Sequence, residues 1–153
     1  DVLINNAGVL VRGLVGDLSV AQFDEVMRVN VRGAFLCARA AFSRMIVGGH
    51  GGSIVNVASL SGVAGVEKFV GYSAYVASKF AVVGLTEALA VEGRAHGIRV
   101  NAVSPGAVDT AMLKQGDPSL KSNAKPEDVA RSIVFLALDP LLTGANLPIF
   151  SNA

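Results

Sequence analysis

The chain has no tryptophan and a single cysteine. Cys37 alone closes no internal disulfide. No Cys or His stands beside it at metal-ligand spacing, so neither a disulfide framework nor a zinc module is encoded. It is read as a plain core or surface thiol. Charge is scarce as well: Asp, Glu, Lys and Arg make up 16% of the residues, 13 basic against 12 acidic, for a net charge of +1. No basic stripe stands out, which argues against a nucleic-acid partner and against a surface for anionic lipid. A spanning hydrophobic run is also missing. Residues 45–66 contain no charged side chain, but six Gly, three Ser and an Asn interrupt them, and a membrane helix needs sustained apolar character. No secretory leader is visible at the N-terminus, so the expected location is the cytoplasm.

What is present is apolar: 52% of the 153 residues are hydrophobic. That excludes a disordered chain and suffices for the core of one domain. The apolar residues come in short runs, the pattern of parallel strands covered on both faces. Val2 to Ile4 reads as a buried strand closed by the turn Asn5-Asn6-Ala7-Gly8. Ser19 with Gln22 has capping-box spacing. The helix it starts extends to about Val47, with Gly33 as a point of bending or close packing. Ser53 to Ala58 is a second strand, residues 59–71 a loop, and Tyr72 to Arg94 a long helix. Ile98 to Val103 is a third strand, broken by Ser104-Pro105-Gly106. A loop with room for one short helix fills residues 107–125. Pro126, followed by Glu127 and Asp128, opens a helix to about Leu138. Leu147 to Phe150 is a last short strand. The order β-α-β-α-β-α-β predicts a parallel α/β sheet with right-handed crossovers.

Tyr75 and Lys79 lie four residues apart on one helix face. An ammonium beside a phenol favours the phenolate and lowers its pKa. A phenol so tuned can exchange a proton with a substrate oxygen. Such a pair alone is a common surface feature, and the context singles it out. Ser59 lies just past the end of the second strand. Asn5-Asn6-Ala7-Gly8 and Ser104-Pro105-Gly106 close the first and third. Three polar or Gly-rich turns therefore share the carboxyl rim of the sheet, where open α/β sheets bind ligands.

Asn5-Asn6-Ala7-Gly8, Asn30, Ser59, Tyr75-Val76-Ala77-Ser78-Lys79 and Ser104-Pro105-Gly106 together resemble the compact, classical type of short-chain dehydrogenase/reductase, in order and along nearly the whole chain. The resemblance implies a Rossmann-like, doubly wound parallel sheet, of which about four strands of the C-terminal half are present. It implies hydride transfer between NAD or NADP and a small carbonyl or alcohol substrate. Tyr75 would be the general acid or base, and Lys79 would lower its pKa and bind the nicotinamide ribose. Ser59 would stabilise the reacting oxygen. Asn30 would hold a water that links Lys79 to solvent. Asn5, Ala7 and Gly8 would line the cofactor, and Pro105, Gly106, Val108 and Thr110 would contact its nicotinamide end. No metal is implied. Helices 19–47 and 72–94 resemble those that pair across a family dimer interface, so a homodimer or homotetramer is expected.

Three departures from the family pattern matter. The TGxxxGxG turn that brings backbone N–H groups to a pyrophosphate is absent from the sequence. Together with a strand pattern that begins at Val2, this leads us to expect a single partial domain over residues 1–153, truncated at its N-terminus. Ser59 and Tyr75 are also far apart in sequence, with Tyr72 nearer the usual spacing. Only Tyr75 has a Lys four residues on, and the extra residues are expected to bulge within Phe69 to Tyr72, with Ser61 as the alternative serine. Finally, Leu147 to Ala153 stands where an Asp-Gly-Gly ending is usual, and Pro148 there suits a strand edge. Two other readings remain open: an inactive truncated relative that acts as an oligomerising or binding protein, and a sugar-nucleotide epimerase or dehydratase sharing Tyr-x-x-x-Lys.

Overall fold

In the computed structural model, residues 1–150 are described. Four strands, β1 (Val2–Asn5), β2 (Gly52–Val57), β3 (Ile98–Pro105) and β4 (Asn146–Ile149), form one sheet in that spatial order. Every pairing is parallel, with Ile4 opposite Val55, Val57 opposite Val103 and Ser104 opposite Pro148. Pro148 lies on a strand with a neighbour on one side only, where a missing N–H costs no ladder bond. The third strand runs two residues further than the sequence pattern suggests, through Ser104-Pro105, because β4 continues alongside it.

The helices are α1 (Val20–Met27), α2 (Ala34–Gly48), α3 (Ser73–Gly93), α4 (Ala111–Gly116) and α5 (Pro126–Leu138). The Ser19 side chain accepts from Gln22 N–H at 3.2 Å, and Gln22 returns the bond to Ser19 N–H at 2.9 Å, so the expected capping box is in place. The long helix expected from 19 to 47 is not one α-helix. A π-helical stretch, Arg28–Gly33, joins α1 to α2, a distortion found mostly at functional positions. Asn30 sits inside it. Gly49 ends α2 in the left-handed region (φ +69°), where a side chain would be strained, and its N–H satisfies the Met45 carbonyl.

Two cores flank the sheet. On one face Ala38 and Met45 of α2 and Leu89 and Ala90 of α3 pack on Ile54, Ile98 and Val100. On the other, Val129, Leu136 and Ala137 of α5 pack on Val55 and Val103. α3 is long and apolar enough by composition to span a bilayer, yet it is the helix that covers β3 and buries Lys79 and Thr86. The opposed placement of α5 corrects one expectation. Each successive strand is added on the same side of the sheet, while α2 and α3 cross over one face and α5 over the other. The last crossover therefore has the opposite hand to the first two, against the right-handed rule for all three. The segment between β3 and α5 is long enough to carry the chain past the strand ends to the far face.

Arg99 of β3 secures α5 from below. Its guanidinium donates to the carbonyls of Leu136 (3.3 Å), Ala137 (2.9 Å) and Asp139. These are the unpaired carbonyls at the end of a helix, where a positive charge is also favoured by the dipole. Arg99→Ala is expected to lower stability by about 1.5–3 kcal/mol, the scale of charged hydrogen bonds. Urea unfolding checks this; an unchanged midpoint would show that the cap contributes nothing.

Candidate active site

β2 ends at Val57, and the chain turns at Ser59 into a short 3-10 turn, Leu60–Gly62. α3 begins at Ser73 and brings Tyr75 and Lys79 beneath that turn. Ser59 is near enough to Tyr75 for its side chain to favour the phenolate, and its Oγ accepts from Ser61 N–H at 3.1 Å. The geometry thus brings Ser59, not Ser61, to Tyr75. Lys79 Nζ stands 5.5 Å from the centre of the Tyr75 ring and donates to the Val57 carbonyl at 2.8 Å. Both side chains are nearly closed off from solvent, Tyr75 at 8% and Lys79 at 4% exposure.

The long Ser59–Tyr75 separation is absorbed by a loop that folds back on itself. Gly65 and Gly71 take positive φ (+77° and +83°) to turn the chain. Lys68 reaches back to the carbonyls of Leu60 (3.2 Å) and Val63 (2.5 Å) and lies over the Phe80 ring at 5.4 Å. The base of the loop is held by close approach: a Cβ on Gly62 would stand 2.6 Å from the Lys79 carbonyl carbon and oxygen. The loop turns at Gly65 and Gly71, Phe69 to Tyr72 closes a turn in which Tyr72 N–H donates to the Phe69 carbonyl at 3.3 Å, and the two ends meet.

Asn30 ties the remaining parts together. Its Nδ2 donates to the Val9 carbonyl (2.9 Å) and Ser78 Oγ (3.0 Å), and its Oδ1 accepts from Val9 N–H (2.8 Å). Ser78 in turn donates to the Tyr75 carbonyl at 2.7 Å. The loop after β1 is thereby fixed to the turn of helix that carries Tyr75. Gly8 lies against both groups: a Cβ there would be 3.5 Å from Asn30 Oδ1 and 3.6 Å from Lys79 Nζ. Asn5 Nδ2 donates to Asn56 Oδ1 at 2.8 Å, and Asn56 donates to Thr86 at 2.9 Å. Sequence reading missed Asn56, Thr86 and Ser78. A lone Asn inside the apolar strand Ser53 to Ala58 was the available signal, since a buried amide must find partners. Ala7 follows Asn5 on the same rim. Pro105 ends β3, and Gly106 N–H bonds to the Ile149 carbonyl at 2.9 Å. Val108 packs against the second core. Thr110 caps α4, accepting from Leu113 N–H at 3.3 Å.

Electrostatics here are set by burial. It pushes the Tyr75 phenol above its ordinary value of 10, further than the Ser59 hydrogen bond pulls it back, with nearby Tyr72 adding to the rise. It holds the Lys79 ammonium down to about 8. The expectation that Lys79 lowers the Tyr75 pKa is not met in this state, because both groups lose water together and desolvation dominates each. Lys79 nonetheless fits one task set by the resemblance. An ammonium has three donors, and Val57 is its one hydrogen-bond partner among the described residues, which leaves donors for the hydroxyls of a ribose. Among those residues no cluster of three metal-ligating side chains occurs.

A family model described as short chain dehydrogenase matches residues 1–120. The chain is similar to trans-4-hydroxycyclohexanecarboxylate dehydrogenase of Sinomonas cyclohexanicum, 40% identical over 97% of this chain and 58% of that protein. Its fold is similar to that of ElxO with NADP bound, at TM-score 0.86 and 33% identity, covering 97% of this chain and 65% of that one. It is likewise similar to 4-hydroxyisoleucine dehydrogenase complexed with NADH, at TM-score 0.86 and 37% identity, covering 97% and 66%. The chain thus spans less than two thirds of the length of the curated relative and of these two structures.

The buried lysine predicts a pH signature. The folded chain holds Lys79 neutral above about 8, against 10.5 for an unshifted lysine. Between these values the unfolded state binds the extra proton, so stability rises with pH. Below about pH 8 both states are charged and the burial cost is fully present. The gain approaches about 3 kcal/mol by the upper limit, and Tyr75 opposes it only above about pH 10. Urea midpoints at about pH 7 and about pH 9.5 should differ in wild type but not in Lys79→Met. Equal slopes in the two would remove Lys79 as the cause.

Proposed function

The chain belongs to the short-chain dehydrogenase family, and from that premise we propose that it is the catalytic part of an NAD(P)-dependent oxidoreductase interconverting a carbonyl and a secondary alcohol. The observation that carries this reading is the convergence of Ser59, Tyr75 and Lys79 at the carboxyl end of β2. The neighbours solved with NADP and NADH lend it support. A bound nicotinamide would supply or accept the hydride. Lys79, with Asn5, Ala7, Gly8, Pro105, Gly106, Val108 and Thr110 around the same rim, would hold its nicotinamide ribose and ring. The sequence offers no TGxxxGxG turn for the pyrophosphate, so binding to these residues alone is expected to be weaker than in a chain that has one.

In the direction of reduction, Ser59 Oγ and the Tyr75 hydroxyl both donate to the carbonyl oxygen and stabilise the charge that develops there. Tyr75 then gives its proton to that oxygen, forming the alcohol, and the phenolate is left beside Lys79. The raised phenol pKa suits a proton donor that is neutral before the reaction, and the Lys79 ammonium offsets the phenolate once formed. Lys79, about half charged near pH 8, can return a proton to Tyr75. Asn30, locked to Val9 and Ser78, keeps this helix turn and the β1 loop in register, and we assign it the linking water that the family resemblance implies.

We also infer a homo-oligomer. Met27, Val31 and Phe35 face Ala81 and Leu85 across an open groove of about 650 Å³ between the first long helical segment and α3, and Phe23, Phe35 and Phe80 are exposed. Pairing of this face with a second copy would remove that apolar surface from water.

Tyr75→Phe should lower the rate of carbonyl reduction by about 10²- to 10⁴-fold, the usual contribution of a general acid, while the unfolding midpoint stays close to wild type. Retained turnover in a folded variant would sink the assignment. Calorimetric titration with NADH and with NADPH should give saturable binding to one of them. Absence of binding to the folded chain would show that residues 1–153 do not form a cofactor site by themselves.

A further inference from the structure

The loop after β1 crosses the site and grips the segment after β3. Arg12 donates to the Gly116 carbonyl at 3.2 Å and lies 3.4 Å from Asp117 Oδ2. Asp117 is oriented for this, because its other oxygen, Oδ1, is occupied by the Ser119 N–H (3.0 Å) and hydroxyl (2.6 Å). One residue on, Gly13 N–H donates to the Gly71 carbonyl at 2.9 Å, which pins the same loop to the approach of α3. Tyr72 stands buried between these segments. Its ring meets Tyr75 edge-on with centroids 6.1 Å apart, and Phe69 lies on it at 5.6 Å. Its hydroxyl reaches Gly116: a Cβ there would stand 2.6 Å from that oxygen and 3.2 Å from Leu10 Cδ2. Gly116 is the last residue of α4, so glycine is what lets the helix end close down on Tyr72.

We propose that Arg12 and Tyr72 form a two-point clasp that holds α4 down beside Tyr75 and so selects carbonyl substrates by size, admitting compact ones and requiring the clasp to open for bulky ones. This rests on the reading of Tyr75 as the group that meets the substrate. The two points differ in character. Tyr72 supplies a rigid aromatic wall whose position is fixed from two sides. Arg12–Asp117 is a partly exposed ion pair, and pairs of that kind are weak and screened by salt. The wall sets the size limit and the ion pair sets how often α4 lifts away from it. Arg12 is thus a positioning residue for α4 and Tyr72 a specificity-determining one.

Hydrogen exchange on the intact chain tests the clasp without any need for turnover. In Arg12→Ala the amides of residues 112–117 should exchange about tenfold faster than in wild type, with Arg12→Lys between them. About 1 M NaCl should loosen wild type in the same way and leave Arg12→Ala unchanged. Unaltered exchange in Arg12→Ala overturns the clasp. For selectivity, cyclohexanone and a bulky aryl ketone are compared in wild type, Arg12→Ala and Tyr72→Ala. The ratio of kcat/KM for bulky over compact should rise about tenfold in both variants, in Arg12→Ala through KM with kcat for cyclohexanone little changed. Faster exchange with an unchanged ratio overturns the selection by size. A chain that reduces neither ketone counts against the proposed oxidoreductase, and the exchange result then decides the clasp by itself.

Discussion

A lysine ammonium buried under a β-strand end is the constraint around which this site is built. Lys79 has lost nearly all contact with water and gives one hydrogen bond to the Val57 carbonyl. An isolated buried charge is costly, and the fold meets that cost partly by depressing the pKa to about 8. To place Nζ there, β2 must end at Val57 and the next turn must lie directly on α3. Gly62, which leaves no room for a Cβ against the Lys79 backbone, makes that approach possible. Ser59 and Tyr75 come together as a consequence of the same packing.

The rest of the site is held by amides in place of charges, Asn30 and Asn56 buried and Asn5 partly so. Asn30 closes a three-bond bracket between Val9 and Ser78, and Asn5, Asn56 and Thr86 form a chain from β1 through β2 to α3. Satisfied networks of this kind fix geometry, because breaking any member leaves a buried polar group without a partner. The loop after β1 is therefore secured at its start by Asn30 and further along by Arg12. The polar network of the inner rim and the Arg12 contacts at the outer rim hold one loop against two different helices, α3 and α4.

The opposed placement of α5 has its own consequence. It covers Val55 and Val103 and leaves Val2 and Ile4 of β1 exposed on the same face. It also leaves segment 106–125 free to run along the carboxyl rim before α5 begins. That excursion delivers α4 to Tyr72.

Much of this was legible in the sequence. Parallel strands read as short apolar runs, the Ser19–Gln22 box marked a helix start, and the Tyr75–Lys79 spacing put both groups on one helix face, because each of these is a local property of chain periodicity. The Asn5-Asn6-Ala7-Gly8, Tyr75 to Lys79 and Pro105-Gly106 segments identified the family for the same reason: each is contiguous. What depended on distance through space was decided only in three dimensions. The direction of the Tyr75 and Lys79 pKa shifts reflects desolvation by elements remote in sequence. The π-helical turn at Asn30 holds a side chain whose partners, Val9 and Ser78, are remote in sequence. The far-face position of α5 and the meeting of Arg12 with Asp117 arise from the packing of segments that carry no local mark of one another. Local periodicity determined the elements and contiguous motifs carried the family resemblance; burial and close approach decided which side chains meet and how they are charged.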